Sequence, residues 1–376
     1  MLSPREALIT LNLLPRLGSI RIQALLEFFG SAELALHAPK NMLAQVPRIG
    51  ANLAEIITSW RDCTNVHAEL ECAECHGVRV ITLLDDDYPS VLRRMADPPI
   101  VLYCRGEWKE SDAERSVALV GTRQATAYGI SAARHFGRAL AERGCTIISG
   151  LARGIDTAAH FGALDAGGRT LAVLGFGMAE FYPSENRELA DQICAGHGAL
   201  ISEFPMLMRP SRTTFPQRNR IVAAWSRATV VVEAPLRSGA LHTASMAAAD
   251  YGNSIFAIPG PINRHSSDGC HALIRDGAIL CTTPEELLQD MQWTREPRQM
   301  ELFEEAEKTP ASSAAVEPII PEGTGILKAI QAGHDTLDAL CTALGMPSYE
   351  LSPLLLRLQI AHQIVPLPGA RFACCR

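Results

Sequence analysis

Between residues 116 and 290, short apolar runs alternate with stretches of helical periodicity. The runs are Val117–Val120, Cys145–Ser149, Thr170–Gly175, Ala199–Ser202, Thr229–Glu233, Ser254–Ile258 and Ala278–Cys281. Most are continuously apolar, as parallel strands buried on both faces must be. Ser131–Arg143, Asp156–Ala166 and Thr243–Tyr251 supply helices between them. The alternation predicts an α/β fold: an extended Rossmann-like, doubly wound parallel sheet that places ligands beyond the C-terminal ends of its strands. Val78–Leu83 and Ile100–Cys104 precede it and read as extra strands of the same domain.

The pattern changes toward both ends. Ala7–Leu14, Ile20–Phe29 and Leu53–Trp60 are helical in period. Val46-Pro-Arg-Ile-Gly50 is a tight turn opening a helix, and it resembles helix-hairpin-helix modules, whose turn amides can contact a DNA phosphate. A plain helical bundle accounts for it equally well. From Trp293 to Pro321, Glu, Pro, Ala and Ser dominate and periodicity vanishes, which predicts a flexible linker. Ile326–Ile330, Leu337–Leu344, Leu351–Leu358 and the extended run Ile364–Phe372 then predict three short helices and a hairpin. That order suits a small winged-helix module. Arg357 is the one clear cation of its presumed recognition segment, so a protein partner suits it better than DNA. The expected organisation is a helical SAM or helix-hairpin-helix-like domain at 1–76, a Rossmann-like DNA-binding domain at 77–292, a linker at 293–321 and a winged-helix-like domain at 322–376.

Composition narrows the possibilities. The 376 residues carry 34 Lys and Arg against 41 Asp and Glu, a net charge of −7, so any nucleic-acid site must be a local positive field. No run is long and apolar enough for a membrane span. The start, MLSPREALITLNLL, lacks a signal peptide's basic and small-residue features, and a cytoplasmic protein is expected. The 11 cysteines show no disulfide rhythm. Cys72 and Cys75 have the spacing of half a zinc site, with Cys63 and His76 as awkward partners because His76 directly follows Cys75. Two partly buried thiols on a helix is the plainer reading, and no metal or cofactor is expected. Cys374 and Cys375 read as a loose tail.

Four loops carry the candidate chemistry. After the first strand comes Gly121-Thr-Arg-Gln-Ala-Thr-Ala-Tyr-Gly129, where a nucleotide-binding fold brings phosphates to backbone amides and a helix N-terminus. It is not G-x-G-x-x-G, and it has no P-loop Lys. Arg123 stands where the second Gly would be, and a guanidinium fork suits a phosphodiester. The second loop, Ser149-Gly-Leu-Ala-Arg-Gly-Ile-Asp-Thr-Ala-Ala-His160, offers Ser149 and Gly150. Asp156 reads as a helix cap, and Asp156 with His160 reads as structural hydrogen bonding rather than a catalytic pair.

The third is Arg209-Pro-Ser-Arg-Thr-Thr-Phe-Pro-Gln-Arg-Asn-Arg220, with four arginines and no acid. Arg212, Arg218 and Arg220 supply cations, Phe215 a stacking surface and Asn219 a polar reader, a combination fit for single-stranded nucleic acid. The alternative is a solvated loop with Phe215 in the core. The fourth, Glu233-Ala-Pro-Leu-Arg-Ser-Gly-Ala-Leu-His-Thr243, offers Ser238, Gly239 and Thr243 as phosphate donors. Residues 116–290 contain no Lys, so phosphate contacts there fall to Arg, amides and hydroxyls.

In order, the blocks GTRQATAYG, ISGLARGIDTAAH, VLGFGMAEFYPSENREL, ISEFP, FPQRNRI, VVVEAPLRSGALHTA, AIPGP and GCHALIRDGA resemble the DNA-processing protein family DprA, also called Smf. The resemblance is close over about 116–281 and looser in the flanking segments. It implies a non-enzymatic protein that binds and protects single-stranded DNA and helps load the RecA recombinase during natural transformation. It also implies self-association, as a homodimer through the Rossmann-like domain. Carried over by motif, Arg123 is the strongest phosphate contact, and Gly121, Thr122, Ser149, Gly150, Arg218, Asn219, Ser238 and Gly239 fall in matching loops. Basic groups in family pockets are often Lys, which this span lacks. A phosphoribohydrolase-like enzyme is the alternative, but Ala244, Ser245 and Met246 follow Thr243 where that chemistry needs a Glu. An NAD-dependent oxidoreductase would need the absent G-x-G-x-x-G.

Overall fold

Nine strands form one sheet in the computed structural model: β1 (Arg79–Thr82), β2 (Val101–Gly106), β3 (Ser116–Val120), β4 (Thr146–Ser149), β5 (Thr170–Leu174), β6 (Gly198–Ser202), β7 (Ala228–Val231), β8 (Ser254–Ala257) and β9 (Ile279–Leu280). The structure describes residues 2–293, 323–360, 363–367 and 371–374. The expected linker therefore lies almost wholly outside the described residues, as does the side chain of Arg357.

Strand order is β1-β2-β6-β5-β4-β3-β7-β8-β9. β3 to β9 pair in parallel, while β2 runs antiparallel to β6 and β1 antiparallel to β2. Every residue of β3, β4, β5, β6 and β7 is buried. Helices must therefore cover both faces. Ala127–Glu142 and Ile155–Asp165 pack Phe136, Leu140 and Ala159 against Val117 and Ile147 on one side. Thr214–Trp225 and Gly239–Tyr251 pack Ile221, Trp225 and Ala244 against Ala118 and Val231 on the other. The order reverses at β3, which lies between β4 and β7, so a crevice opens beyond the carboxyl ends of these strands.

The N-terminal helices include Pro4–Leu13, Ser19–Phe29, Ala51–Thr58 and Val66–Cys75. They do not form a compact unit of their own: Met1–Met300 is one unit, and its core joins Ala7, Ile22 and Val66 to Leu174, Phe176 and Met206. The expected boundary at 76/77 thus marks a change of secondary structure and not a break in packing. The hairpin turn read at 46–50 occurs twice. Leu14-Pro-Arg-Leu-Gly18 and Val46-Pro-Arg-Ile-Gly50 each place an Arg in the left-handed region, Arg16 at φ 66° and Arg48 at φ 68°, before a Gly-capped helix. Cys72 and Cys75 lie on the 66–75 helix, and among the described residues no three His, Cys, Asp or Glu side chains are grouped to hold a metal ion.

The second unit, Glu301–Arg376, contains helices Gly323–Gln331, Leu337–Leu344 and Ser348–Ile360 and the antiparallel pair β10 (Ile364–Leu367) and β11 (Arg371–Cys374). Its core is Ile326, Leu340, Leu351, Leu355, Leu358 and Ile364. Three helices and a hairpin are what the periodicity predicts, but Cys374 ends a strand and is not in a loose tail, while Cys375 lies outside the described residues.

Candidate nucleic-acid interface

The loops leaving β3, β4 and β7 converge on a cleft of 840 Å³, joined by residues from the start of the 214–225 helix. Its floor and its rim differ in kind.

The floor is internally paired. Thr122 donates its N–H to the Glu233 carbonyl at 2.7 Å. The Glu233 side chain is buried, and its Oε2 accepts from the N–H of Thr126 at 2.9 Å and from its hydroxyl at 3.2 Å. Thr126 is the N-cap of the 127–142 helix, so this carboxylate sits on the positive end of the helix dipole. A side-chain carbon at Gly129 would collide with the same carboxylate, which is why no larger residue fits there. The expectation that this helix start meets a phosphate is corrected: the protein's own acid fills the position.

The β4 loop is occupied in the same way. The Ser149 hydroxyl is buried and donates to the Leu119 carbonyl at 2.6 Å. The Arg218 guanidinium, on a residue 4% exposed, donates to the carbonyls of Gly150, at 2.8 Å, and of Val173. Burial pushes Arg218 down to about 10, against the attraction of Asp156, while burial pushes Asp156 up against the opposing Arg218 charge. A side chain at Gly150 would take the space of that guanidinium, so Gly150 makes room for Arg218 and not for a ligand. Ser149 thus lies beneath the cleft without lining it, while Arg218 lines the floor with its Nη1 turned to backbone carbonyls and its Nε donating to Asn219 at 3.2 Å.

Asp156 and His160 use separate partners. Asp156 accepts from the amides of Gly150 and Ala152 at 3.2 and 3.3 Å. Thr170 donates its hydroxyl to Ile147, leaving its oxygen to accept from His160 Nδ1 at 2.7 Å. Full burial pushes His160 down to about 3, so it is neutral. Arg220 is corrected too. It lies between Asp97, at 3.1 Å, and Glu203, and it does not line the cleft.

The rim is exposed. Gly121, Thr122, Arg123, Arg212, Phe215, Asn219, Ser238 and Gly239 all reach the cleft. Arg123 lays its guanidinium 4.3 Å from the centre of the Phe215 ring, which is half-buried against the core. The phenyl face read as a base platform is therefore already covered by a cation. Asn219 Nδ2 donates to the Gly239 carbonyl at 3.4 Å, and Ser238 caps the 239–251 helix by accepting from Ala240 N–H at 3.2 Å. A side chain at Gly239 would meet open space, so this second helix start, capped by Ser238, opens on the cleft.

Sequence reasoning missed three residues here. Glu233 stands at the strand end that opens the fourth loop, with no role drawn for its side chain. Arg237 lines the rim two positions before Gly239. Tyr182 lines it from the loop after β5, 41% exposed, with its ring edge-on to Phe176 at 6.4 Å. The signals available were a cation beside Ser-Gly in the fourth loop and an aromatic before Pro183. Among the described residues, Arg123, Arg212 and Arg237 enter no ion pair, whereas Arg209 pairs with Glu180 at 3.4 Å. Three open guanidiniums beside an exposed phenol ring can grip phosphodiesters and stack on a base.

Residues 79–292 match the family described as DNA recombination-mediator protein A. The chain is 33% identical to protein Smf of Synechocystis sp. over 94% of its own length and 95% of that relative. It is 38% identical to protein Smf of Escherichia coli over 75% of its length and 74% of that relative. The X-ray structure of DNA processing protein A from Streptococcus pneumoniae superposes with a TM-score of 0.65 at 31% identity, covering 77% of this chain and 98% of that one. A structure of DNA processing protein A from Helicobacter pylori, described for its single-stranded DNA binding mode, matches 57% of this chain and 95% of its own at TM-score 0.50 and 28% identity.

Proposed function

The chain belongs to the DNA recombination-mediator protein A family, and on that premise we propose that it is a non-enzymatic single-stranded DNA-binding protein. It protects incoming DNA, helps load the RecA recombinase during natural transformation, and acts in the cytoplasm. The observation that carries this reading is the rim: Arg123, Arg212 and Arg237 open on one cleft at the reversal of strand order, with Tyr182 beside them. The groups at and beneath the cleft floor support a binding role and not a reaction, since Asp156 on the floor and Glu233 and His160 beneath it are each buried in internal hydrogen bonds. The single-stranded DNA mode described for the Helicobacter pylori relative agrees with it.

Gly121, Thr122, Asn219, Ser238 and Gly239 shape the cleft, and the Thr122 and Ser238 hydroxyls serve as donors to the strand. Self-association uses the sheet-bearing unit. Its edge strand β9 exposes Ile279 and Leu280, at 39% and 50%, and an open edge of this kind is a ready pairing surface.

Anisotropy of a labelled oligothymidine tests the reading. A charge-assisted arginine–phosphate contact contributes about 1.5–3 kcal/mol, so Arg123→Ala should weaken binding roughly ten- to a hundredfold. Unchanged affinity at moderate salt would remove Arg123 from the site.

A further inference from the structure

The N-terminal helices lie outside the matched segment 79–292, yet one of their side chains reaches the loops of the cleft. Glu69, on the 66–75 helix, is 8% exposed. Its Oε1 accepts the N–H of Met206 at 2.7 Å, across 137 positions of sequence. Met206 follows β6 and is fully buried. Its carbonyl accepts from Ala179 N–H at 3.0 Å, and the Met208 carbonyl accepts from Gly177 N–H at 2.8 Å. A side-chain carbon at Gly177 would collide with the Pro205 and Met206 carbonyls, so the loops after β5 and β6 lie backbone against backbone. One loop runs on to Tyr182 and the other to Arg212, both on the rim. Met178 and Met206 share their core with Ala7, Val66 and Ala73 of the helices.

We infer that Glu69 is a positioning residue for single-strand binding: through the Met206 amide, the N-terminal helices hold the cleft wall that carries Tyr182 and Arg212. This rests on the DNA-binding reading. A carboxylate is the stronger kind of acceptor for an amide, and a buried N–H without a partner is costly, so the loop follows the helix that satisfies it.

The test uses full-length Glu69→Ala and Glu69→Gln. Without DNA, amide exchange over residues 205–212 should quicken in Glu69→Ala and stay near wild type in Glu69→Gln, which keeps an acceptor. With oligothymidine, Glu69→Ala should bind roughly tenfold more weakly, the loss of about one arginine–phosphate contact. Its slope of log K on log salt should also be shallower by about 0.7, as one fewer neutralised phosphate requires. Adding Arg212→Ala to Glu69→Ala should flatten the slope no further. Wild-type exchange and slope in Glu69→Ala would overturn the inference. So would affinity lost at unchanged slope, or Glu69→Gln as impaired as Glu69→Ala. Should Glu69→Ala fail to fold, Glu69→Asp, one methylene shorter, is read in its place. If the wild type binds no oligothymidine, the DNA reading fails, and exchange alone decides whether Glu69 holds the loop.

Discussion

The floor and the rim of the cleft are built from the same residue types, and their fates are opposite. Arg218 on the floor donates to two backbone carbonyls and faces Asp156, whereas Arg123, Arg212 and Arg237 on the rim enter no ion pair among the described residues. The helix start at Ala127 is filled by Glu233, while the start at Gly239 opens on the cleft. A charge beside a ligand crevice is therefore not by itself a ligand contact. Burial and an internal partner turn an arginine or a helix end into part of the scaffold. The comparison predicts a dissociation: floor changes cost stability, and rim changes cost affinity.

The largest effect is expected at Arg218. Arg218→Ala leaves the Gly150 and Val173 carbonyls without their buried donor and Asp156 without its opposing charge, and each buried group left unsatisfied costs about 1–3 kcal/mol. Urea unfolding should show this, and a loss below about 0.5 kcal/mol would place Arg218 among surface residues instead. Next is Tyr182 on the rim. Tyr182→Ala should cost about 1–3 kcal/mol of single-strand affinity, the range for one stacked base, with the unfolding midpoint nearly unchanged. Equal losses of affinity and stability would erase the distinction between rim and floor.

The effect expected to be smallest near neutral pH is a pH dependence. The folded pKa of His160 is about 3, below its ordinary 6.5, so its contribution is fully present above 6.5 and is lost as pH falls. Glu203 acts with the opposite sign. Burial pushes it from 4.5 up to about 7, against the nearby Arg220, so its share is lost as pH rises through that window. His160→Asn keeps a donor for Thr170 and leaves Glu203 untouched. The stability of wild type minus that of the variant should therefore fall by about 1.4 kcal/mol per pH unit below pH 6.5. A difference independent of pH would contradict a buried neutral His160.

The sheet was legible because parallel strands buried on both faces leave continuous apolar runs, as in Val117–Val120 and Thr170–Gly175, and the structure places strands there. The rim arginine Arg123 was legible from its place after the first strand. The burial of Arg218 was not legible at first sight although a signal existed. The segment after Thr213 is a helix, and Arg218 shares its buried face with Ile221, Val222 and Trp225, at helical spacing. Glu233 gave no local signal. Its partner Thr126 lies 107 positions earlier, and only the pairing of β3 with β7 brings them together. The shared core of the N-terminal helices and the cleft loops was hidden for the same reason, since Glu69 and Met206 meet only in three dimensions.

The central claim is that the rim arginines, and not the floor, hold the backbone of single-stranded DNA. Its most direct test is oligothymidine affinity across a salt series for wild type and for the triple variant Arg123→Ala, Arg212→Ala, Arg237→Ala. With a slope of about 0.7 per neutralised phosphate on single strands, the variant should be shallower by about 2, with its unfolding midpoint close to wild type. A slope equal to that of the wild type would contradict the account and move the phosphate contacts elsewhere on the molecule.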